Sequence, residues 1–110
     1  MTDEVPLGSF EEQVMVAVVR ARGEAYGTNV RREIESATGR GVAVGAVYAT
    51  LDRLEAKGLV ASDRAGTGGA SRRLFTVTAA GARALVETRA MRERLWHGVD
   101  VRRLLALGGT

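Results

Sequence analysis

The sequence predicts a mostly helical α+β fold of the winged helix-turn-helix type, with a two-stranded wing and a long C-terminal helix. Three segments that precede residue 58 place apolar side chains at helical spacing. The third of them, residues 45–57, runs directly into two short strands that flank a glycine-rich stretch at residues 66–69. A helix that leads straight into a hairpin is the order of elements in this fold.

Composition excludes several classes of site. The 110 residues, of which 45% are hydrophobic, suffice for one small domain with a modest core. The absence of cysteine excludes disulfides, thiol redox sensing and cysteine-ligated zinc. The longest apolar run, residues 14–19, is far shorter than the about 20 residues that span a bilayer. We therefore expect a soluble cytoplasmic protein that does not interact with membranes.

The first two helices are predicted from capping signals and apolar spacing. Ser9 and Glu12 stand at capping-box spacing, so the first helix is expected to begin at Ser9 and to end near Arg22. Tyr26 and Gly27 open the second helix, which Gly39 ends in a left-handed conformation. Both helices carry apolar stripes that we interpret as core, namely Phe10, Val14, Ala17, Val18 and Ala21 in the first and Val30, Ile34 and Ala37 in the second.

The third helix and the hairpin follow without a linker. One face of the helix holds Val44, Val47, Leu51 and Leu54, and Gly58 closes it. Residues 59–61 begin a strand, residues 65–70 turn, and residues 72–77 return with alternating side chains. Two short strands are marginally stable alone, so the hairpin must pack on the helices.

A fourth, longer helix is expected from Thr78, a good N-cap, to about His97. Gly98 interrupts it, and Asp100 caps a short final helix with apolar residues at 101, 104, 105 and 107. One face of the long helix is spaced like a seam that faces a partner helix, which predicts a homodimer. The seam consists of Gly81, Leu85, Thr88, Arg92, Leu95 and Val99.

Charge is unevenly distributed along the chain. Residues 1–39 carry four basic and seven acidic side chains, whereas residues 40–77 carry six basic and three acidic ones. The positive excess therefore falls on the third helix and the hairpin, where phosphates would be bound. An excess this small is equally typical of a solvated face.

The exposed side of the third helix is narrow. Gly45, Ala46 and Ala49 carry little bulk, which allows close approach to the floor of a major groove. Tyr48 lies on the same side, where a phenol can donate to a phosphate while its ring packs on sugar. The alternative for Tyr48 is an amphipathic residue half-buried against the hairpin.

Basic residues flank this face. Arg53 and Lys57 are candidates for phosphate contact, although Arg53 is also placed to pair with Glu35 or Asp52. In the hairpin, Arg64, Arg72 and Arg73 surround the glycine-rich stretch, as expected of a wing that contacts the DNA backbone or minor groove. The alternative is a flexible hairpin turn.

Catalysis is not expected. His97 is the single histidine, no cysteine is present, and the carboxylates are scattered without a partner base. Neither a nucleophile relay nor a metal site can be assembled from these residues. We predict a protein that is not an enzyme and that holds no metal or cofactor.

Several blocks of the chain, taken in order, resemble the PadR family of bacterial transcriptional regulators, in particular its short members. The blocks are LGSFE at residues 7–11, AYG at 25–27, GAVYATLDRL at 45–54, KGLV at 57–60 and RLFTVTAAG at 73–81. Together they cover about residues 7–90.

The resemblance implies a homodimeric repressor that binds a double-stranded DNA operator, for which two-fold symmetry predicts an inverted repeat. It implies that Tyr26 and Tyr48 contact operator phosphates and that Arg72 and Arg73 add to the grip. It also implies dimerisation through the C-terminal helix, and some family members bind a small aromatic or drug-like effector between subunits. Met91 and Trp96 are the candidates for such a site, and for Trp96 simple packing in the dimer interface is the alternative.

Two departures from the family pattern bear on these expectations. Family members commonly have serine before the third helix, where this chain has Ala43, so a helix cap and a phosphate contact are lost. The C-terminal region is also short, which leaves effector binding open. We divide the chain into a DNA-binding domain, residues 1–77, and a dimerisation helix and tail, residues 78–110, within one compact unit.

The candidate DNA-binding set is Tyr26, Gly45, Tyr48, Ala49, Arg53, Lys57, Arg72 and Arg73. The candidate dimer or effector set is Leu85, Met91, Arg92, Leu95 and Trp96. A competing hypothesis is a winged-helix module whose third helix binds another protein and which does not bind DNA specifically.

Overall fold

The fold consists of five helices and one two-stranded sheet in the described part of the chain. A computed structural model describes residues 7–65 and 72–108. The elements, in chain order, are α1 (Ser9–Arg20), α2 (Gly27–Thr38), α3 (Val44–Ala56), β1 (Val60–Ala65), β2 (Arg72–Val77), α4 (Ala79–Trp96) and α5 (Val101–Gly108). This order confirms the predicted winged helix-turn-helix.

α1 begins at Ser9, as predicted, but its N-cap lies one residue earlier than predicted. Gly8 is the N-cap, and its backbone N–H donates to Glu11 Oε1 at 3.0 Å, so the capping carboxylate belongs to Glu11 and not to Glu12. Glu12 instead pairs with Arg92 of α4, a tertiary contact that the local pattern does not contain. The helix ends at Arg20, before Arg22 and Gly23 adopt positive φ angles of 49° and 85°.

The next two helices begin and end close to their predicted limits. Tyr26 is the N-cap of α2, and Gly39 ends that helix with a φ of 72°, as expected for a left-handed stop. Val30 and Ile34 are buried, but Ala37, predicted as core, is exposed because it lies at an open groove between α1 and α2. Ala43 caps α3 without a side-chain hydrogen bond.

The hairpin is an antiparallel pair in which Val60 lies opposite Val77 and Ala65 opposite Arg72. Of the turn predicted at residues 65–70, Ala65 belongs to β1, and the glycine-rich stretch at residues 66–69 lies outside the described residues. The Phe75 N–H donates to the Ala25 carbonyl at 3.0 Å, which ties β2 to the segment before α2. The Phe75 ring is 1% exposed. The hairpin is therefore packed on the helices, as predicted.

The core lies where α1, α2 and α3 meet the inner face of the hairpin. Its largest fully buried side chains are Phe75, Met15, Leu51, Leu54, Val14, Val30, Val47 and Val60. Each helix contributes its apolar stripe, and the hairpin contributes one face. The opposite face of α3 is consequently left to solvent.

The first half of α4 packs on the chain's own core. Thr78 Oγ1 accepts from the Gly81 N–H at 3.0 Å, which confirms the predicted cap. Gly81 and Thr88 are buried, and Leu85 packs against the core. The predicted partner-facing seam is thus turned inward in its first turns, because α4 crosses α1 before it leaves the body. The second half of the seam, Arg92, Leu95 and Val99, is exposed.

The chain then extends away from the core. Gly98 has a φ of 81°, and Asp100 Oδ1 accepts from the Arg102 N–H at 2.9 Å, so α5 begins where predicted. Every residue of α5 is exposed. In the described ranges, no helix combines the length and the apolar character that a membrane span requires.

Gly81 of α4 lies in close contact with Met15 of α1 and Val77 of β2. A methyl group there would overlap the Leu59 carbonyl oxygen and lie 2.9 Å from side-chain carbons of Met15 and Val77. We expect Gly81→Ala to lower the free energy of unfolding by about 3 kcal/mol, measured by urea titration. Gly45→Ala, with nothing within 4 Å of the added carbon, is the control, and we expect no loss there. Equal stability of the two variants would contradict the close packing.

Candidate nucleic-acid interface

One side of α3 is exposed, and its side chains are small. Gly45, Ala46 and Ala49 are exposed, and a Cβ added at Gly45 has no neighbour within 4 Å. The buried face of the same helix, with Val47 and Leu51 fully covered, fixes which side points outward. The predicted narrow face is therefore presented by a rigidly anchored helix.

Tyr48 lies on this face with 37% of its surface exposed. Its ring packs against the start of α2. A Cβ at Gly27, the first residue of α2, would overlap Tyr48 Cζ and the phenol oxygen and lie 2.6 Å from Cε1. The phenol is consequently held beside the first turn of α2, whose N-cap supplies no side-chain hydrogen bond. The unpaired amides of a helix start favour a negative ligand.

Tyr26 and Arg72 contact each other. The guanidinium carbon of Arg72 lies 4.1 Å from the centroid of the Tyr26 ring, a cation–π distance. Tyr26 is the N-cap of α2 and Arg72 the first residue of β2, so the contact joins the helix-turn-helix to the wing. Arg72 is exposed and Tyr26 half-buried.

Arg73, in contrast, is engaged by acidic residues of α3. Its Nη1 lies 2.8 Å from Asp52 Oδ1 and its Nη2 lies 2.6 Å from Glu55 Oε1. These carboxylates raise the pKa of Arg73, Asp52 most strongly. The pKa of Glu55 is lowered by the hydrogen bond from Ser62 and then by Arg73. Arg73 was predicted to grip DNA, but its guanidinium is directed at two carboxylates of its own chain.

Lys57 is likewise paired within the chain. Its Nζ lies 2.8 Å from Glu11 Oε2 on α1, and this hydrogen bond is the main reason that the pKa of Glu11 is lowered. Arg53 is exposed, and its Nη2 donates to Thr50 Oγ1 at 3.2 Å. Among residues 7–65 and 72–108, Arg53 forms no ion pair, so the predicted pairing with Glu35 or Asp52 is not observed. Glu35 Oε2 instead accepts from the Val42 N–H.

Sequence reasoning missed the ion pairs because their partners are far apart in the chain. Asp52 and Glu55 are three positions apart on a helix, which places both carboxylates on one side. The basic residues of the hairpin that follows were the sequence signal that could have indicated an ion pair with these two carboxylates. Gly27 gave no signal, because its contact with Tyr48 depends on how α2 packs against α3.

The candidate dimer or effector residues do not form one cluster in the monomer. Leu85 packs inward, Arg92 pairs with Glu12, and Met91 is half-buried. Leu95 and Trp96, 71% and 54% exposed, lie at the projecting end of α4. Their participation in a dimer or an effector site stays a prediction.

Sequence reasoning also missed an apolar groove of about 260 Å³ between α1 and α2. Its apolar lining is Val16, Ala17, Ile34 and Ala37. The ion pairs Arg20–Glu33 and Arg92–Glu12 involve four more of the residues that line it. Over the ranges that the structure covers, no group of three or more His, Cys, Asp or Glu side chains is placed to hold a metal ion.

Comparison with known proteins identifies the family to which most of the chain is similar. The model of the family described as the transcriptional regulator PadR-like family matches residues 15–87. The transcriptional regulator Rv3488 of Mycobacterium tuberculosis is 40% identical over 75 residues, which cover 68% of this chain and 69% of the relative.

Solved structures agree with this result. A PadR family transcriptional regulator from Eggerthella lenta superposes with a TM-score of 0.67 at 30% identity, covering 84% of this chain and 80% of the other. RosR of H. salinarum superposes with a TM-score of 0.65, covering 93% and 88%, and at 24% identity it supports the fold alone.

The contact between Gly27 and Tyr48 can be measured by a double-mutant cycle. We expect Gly27→Ala to lower the free energy of unfolding by about 2 kcal/mol, because the new methyl group must displace the phenol ring. In a Tyr48→Ala background we expect no loss, since alanine is a better helix former than glycine. Additive effects in urea titrations would contradict the packing described here.

Proposed function

The chain belongs to the PadR-like family of transcriptional regulators, and from this premise we propose that it is a homodimeric repressor that binds double-stranded DNA at an inverted-repeat operator. Members of the family regulate transcription and are not enzymes. Beyond membership of the family, we propose the ligand, which is double-stranded DNA, the oligomeric state, which is a homodimer, and the direction of regulation, which is repression.

The observation that carries the proposal is the narrow exposed face of α3. A major groove admits a helix, and bases are contacted where backbone and short side chains approach its floor. Gly45, Ala46 and Ala49 provide that approach, and the exposed Arg53 follows two turns later on the same helix. The face carries no large aliphatic side chain that a protein partner would bury, which favours DNA over the protein-interaction module.

Phosphate contacts are proposed around the start of α2. Tyr48 lies against the first turn of α2, and Arg72 stacks on Tyr26, the N-cap of the same helix. Arg64 lies opposite Arg73 in the hairpin and is exposed. Guanidinium and phenol groups in these places fix the position of a duplex, while the side chains of α3 select its sequence.

The homodimer is proposed from the projecting end of the chain. An isolated helix of eight residues is marginal in water, yet α5 has only exposed residues. Leu105 and Leu107 are 70% and 79% exposed. A second copy that covers these residues removes apolar surface from water and supports the helix. Two-fold symmetry then presents two α3 helices, for which we propose half-sites about one helical turn apart.

DNA binding is tested by selecting bound sequences from random DNA and measuring affinity by fluorescence anisotropy at several salt concentrations. We expect Arg53→Ala to weaken binding about tenfold and to lower the slope of log affinity against log salt by about 0.9 per lost phosphate contact. Arg94→Ala, which removes one charge at the end of α4, is the control. A wild-type protein that binds selected and scrambled DNA equally at moderate salt would contradict the proposal.

The dimer is tested by sedimentation equilibrium at micromolar concentration. We expect Leu105→Asp to weaken self-association at least tenfold, since a carboxylate would replace a buried side chain in the interface. Folding should be unaffected, because Leu105 makes no core contact. Ser36→Asp, on the exposed side of α2, should leave the dimer intact. A monomeric wild type would overturn this part of the proposal.

A further inference from the structure

Four side chains tie α3 to both strands of the hairpin, and we name this group the α3–hairpin clamp. It consists of Asp52 and Glu55 on α3, Ser62 on β1 and Arg73 on β2. Arg73 spans both carboxylates, at 2.8 and 2.6 Å. Ser62 Oγ donates to the same Glu55 carboxylate, with its two oxygens at 3.0 and 2.9 Å. Glu55 is therefore bound from both strands at once.

The position of Arg73 is also fixed by its contact with the Phe75 ring. Its guanidinium carbon lies 4.8 Å from the centroid of the Phe75 ring, and that ring is buried in the core. A planar guanidinium that forms hydrogen bonds with two carboxylates and stacks on a buried ring has little rotational freedom left. The clamp is consequently a fixed link between α3 and β2, in addition to the apolar contacts beneath it.

The acids make Arg73 a poor phosphate ligand. If its guanidinium turned to a duplex, the carboxylates of Asp52 and Glu55 would remain without a cation beside a polyanion. Both interactions would then be repulsive. The pKa of Glu55 lies below its usual value, so its carboxylate is charged at neutral pH. The guanidinium of Arg73 is therefore more favourably placed in its pairs with Asp52 and Glu55 than in a contact with phosphate.

We propose that Arg73 is a positioning residue for DNA binding, and that the α3–hairpin clamp sets the distance and angle between α3 and the wing. This inference rests on the proposed function. Arg73 is then not a DNA ligand but a positioning residue. Asp52, Glu55 and Ser62 join it in that role, although the two carboxylates repel DNA and Ser62 does not bind it. Because the wing is already held in position relative to α3, both elements can contact the duplex without a loss of conformational entropy on binding.

Removing an acid from the clamp separates the two roles by the sign of the effect. If Arg73 were a DNA ligand masked by acids, Glu55→Gln would free it and remove a repulsive charge, and DNA affinity would rise. If the clamp positions the wing, we expect Glu55→Gln and Asp52→Asn each to weaken binding, Glu55→Gln by about tenfold. Asp63→Asn is the matched control. It removes the same charge from β1 at a residue that forms no ion pair in the described ranges, and we expect equal or tighter binding.

Coupling within the clamp is measured by a double-mutant cycle. We expect Arg73→Gln to weaken binding about tenfold alone and much less in the Glu55→Gln background, because the link is already broken there. Arg72→Gln should cost the same in both backgrounds. Arg73→Lys, which keeps the charge but not the fork, should restore only part of the affinity. Full restoration by lysine, or additive losses for Glu55 and Arg73, would overturn the inference.

A second measurement does not involve DNA. Amide hydrogen exchange in β1 and β2 should become faster in Glu55→Gln and Arg73→Gln than in wild type and Asp63→Asn, because the hairpin loses its link to α3. Circular dichroism checks that each variant is folded. Failure of the wild type to bind any selected DNA would overturn the proposed function, whereas unchanged exchange in the clamp variants would overturn the clamp alone. Faster exchange with tighter DNA binding would overturn the positioning role.

Discussion

Burial of one face of α3 is the constraint on which the rest of the molecule depends. Val47, Leu51 and Leu54 are fully covered by the other helices and the hairpin, so the helix cannot rotate without exposing them. The opposite face, with its glycine and alanines, is outward for the same reason. The hairpin follows, since Phe75 closes the core from the other side and brings β2 beside α3. The candidate interface is thus a consequence of core packing.

Charge is used in two different ways on this surface. Lys57 and Arg73 form ion pairs with carboxylates on neighbouring elements, while Arg53 and Arg72 have no carboxylate partner in the described residues. The net charge of the segment therefore says little about how it meets a polyanion. What matters is which cations remain available once the intrachain pairs are formed.

The sequence was sufficient to predict the order and the approximate limits of all seven elements, because caps, left-handed glycines and apolar spacing are local signals. Gly39, Thr78 and Asp100 each act where predicted. Contacts between distant residues were not predictable in this way. Glu12 was assigned to a cap and in fact pairs with Arg92, and the face of α4 that suggested a partner packs partly on α1. A helical stripe shows that a face is buried but not what covers it.

The contact between Gly27 and Tyr48 constrains which substitutions can occur at these two positions during evolution. A side chain at position 27 would overlap the aromatic ring at position 48 unless that ring moves, so a larger residue at position 27 is expected to require a change at position 48. In related chains we expect glycine to accompany the aromatic residue, and larger residues at the first site to occur with small ones at the second. The two positions, 21 residues apart in the chain, should be inherited as a pair.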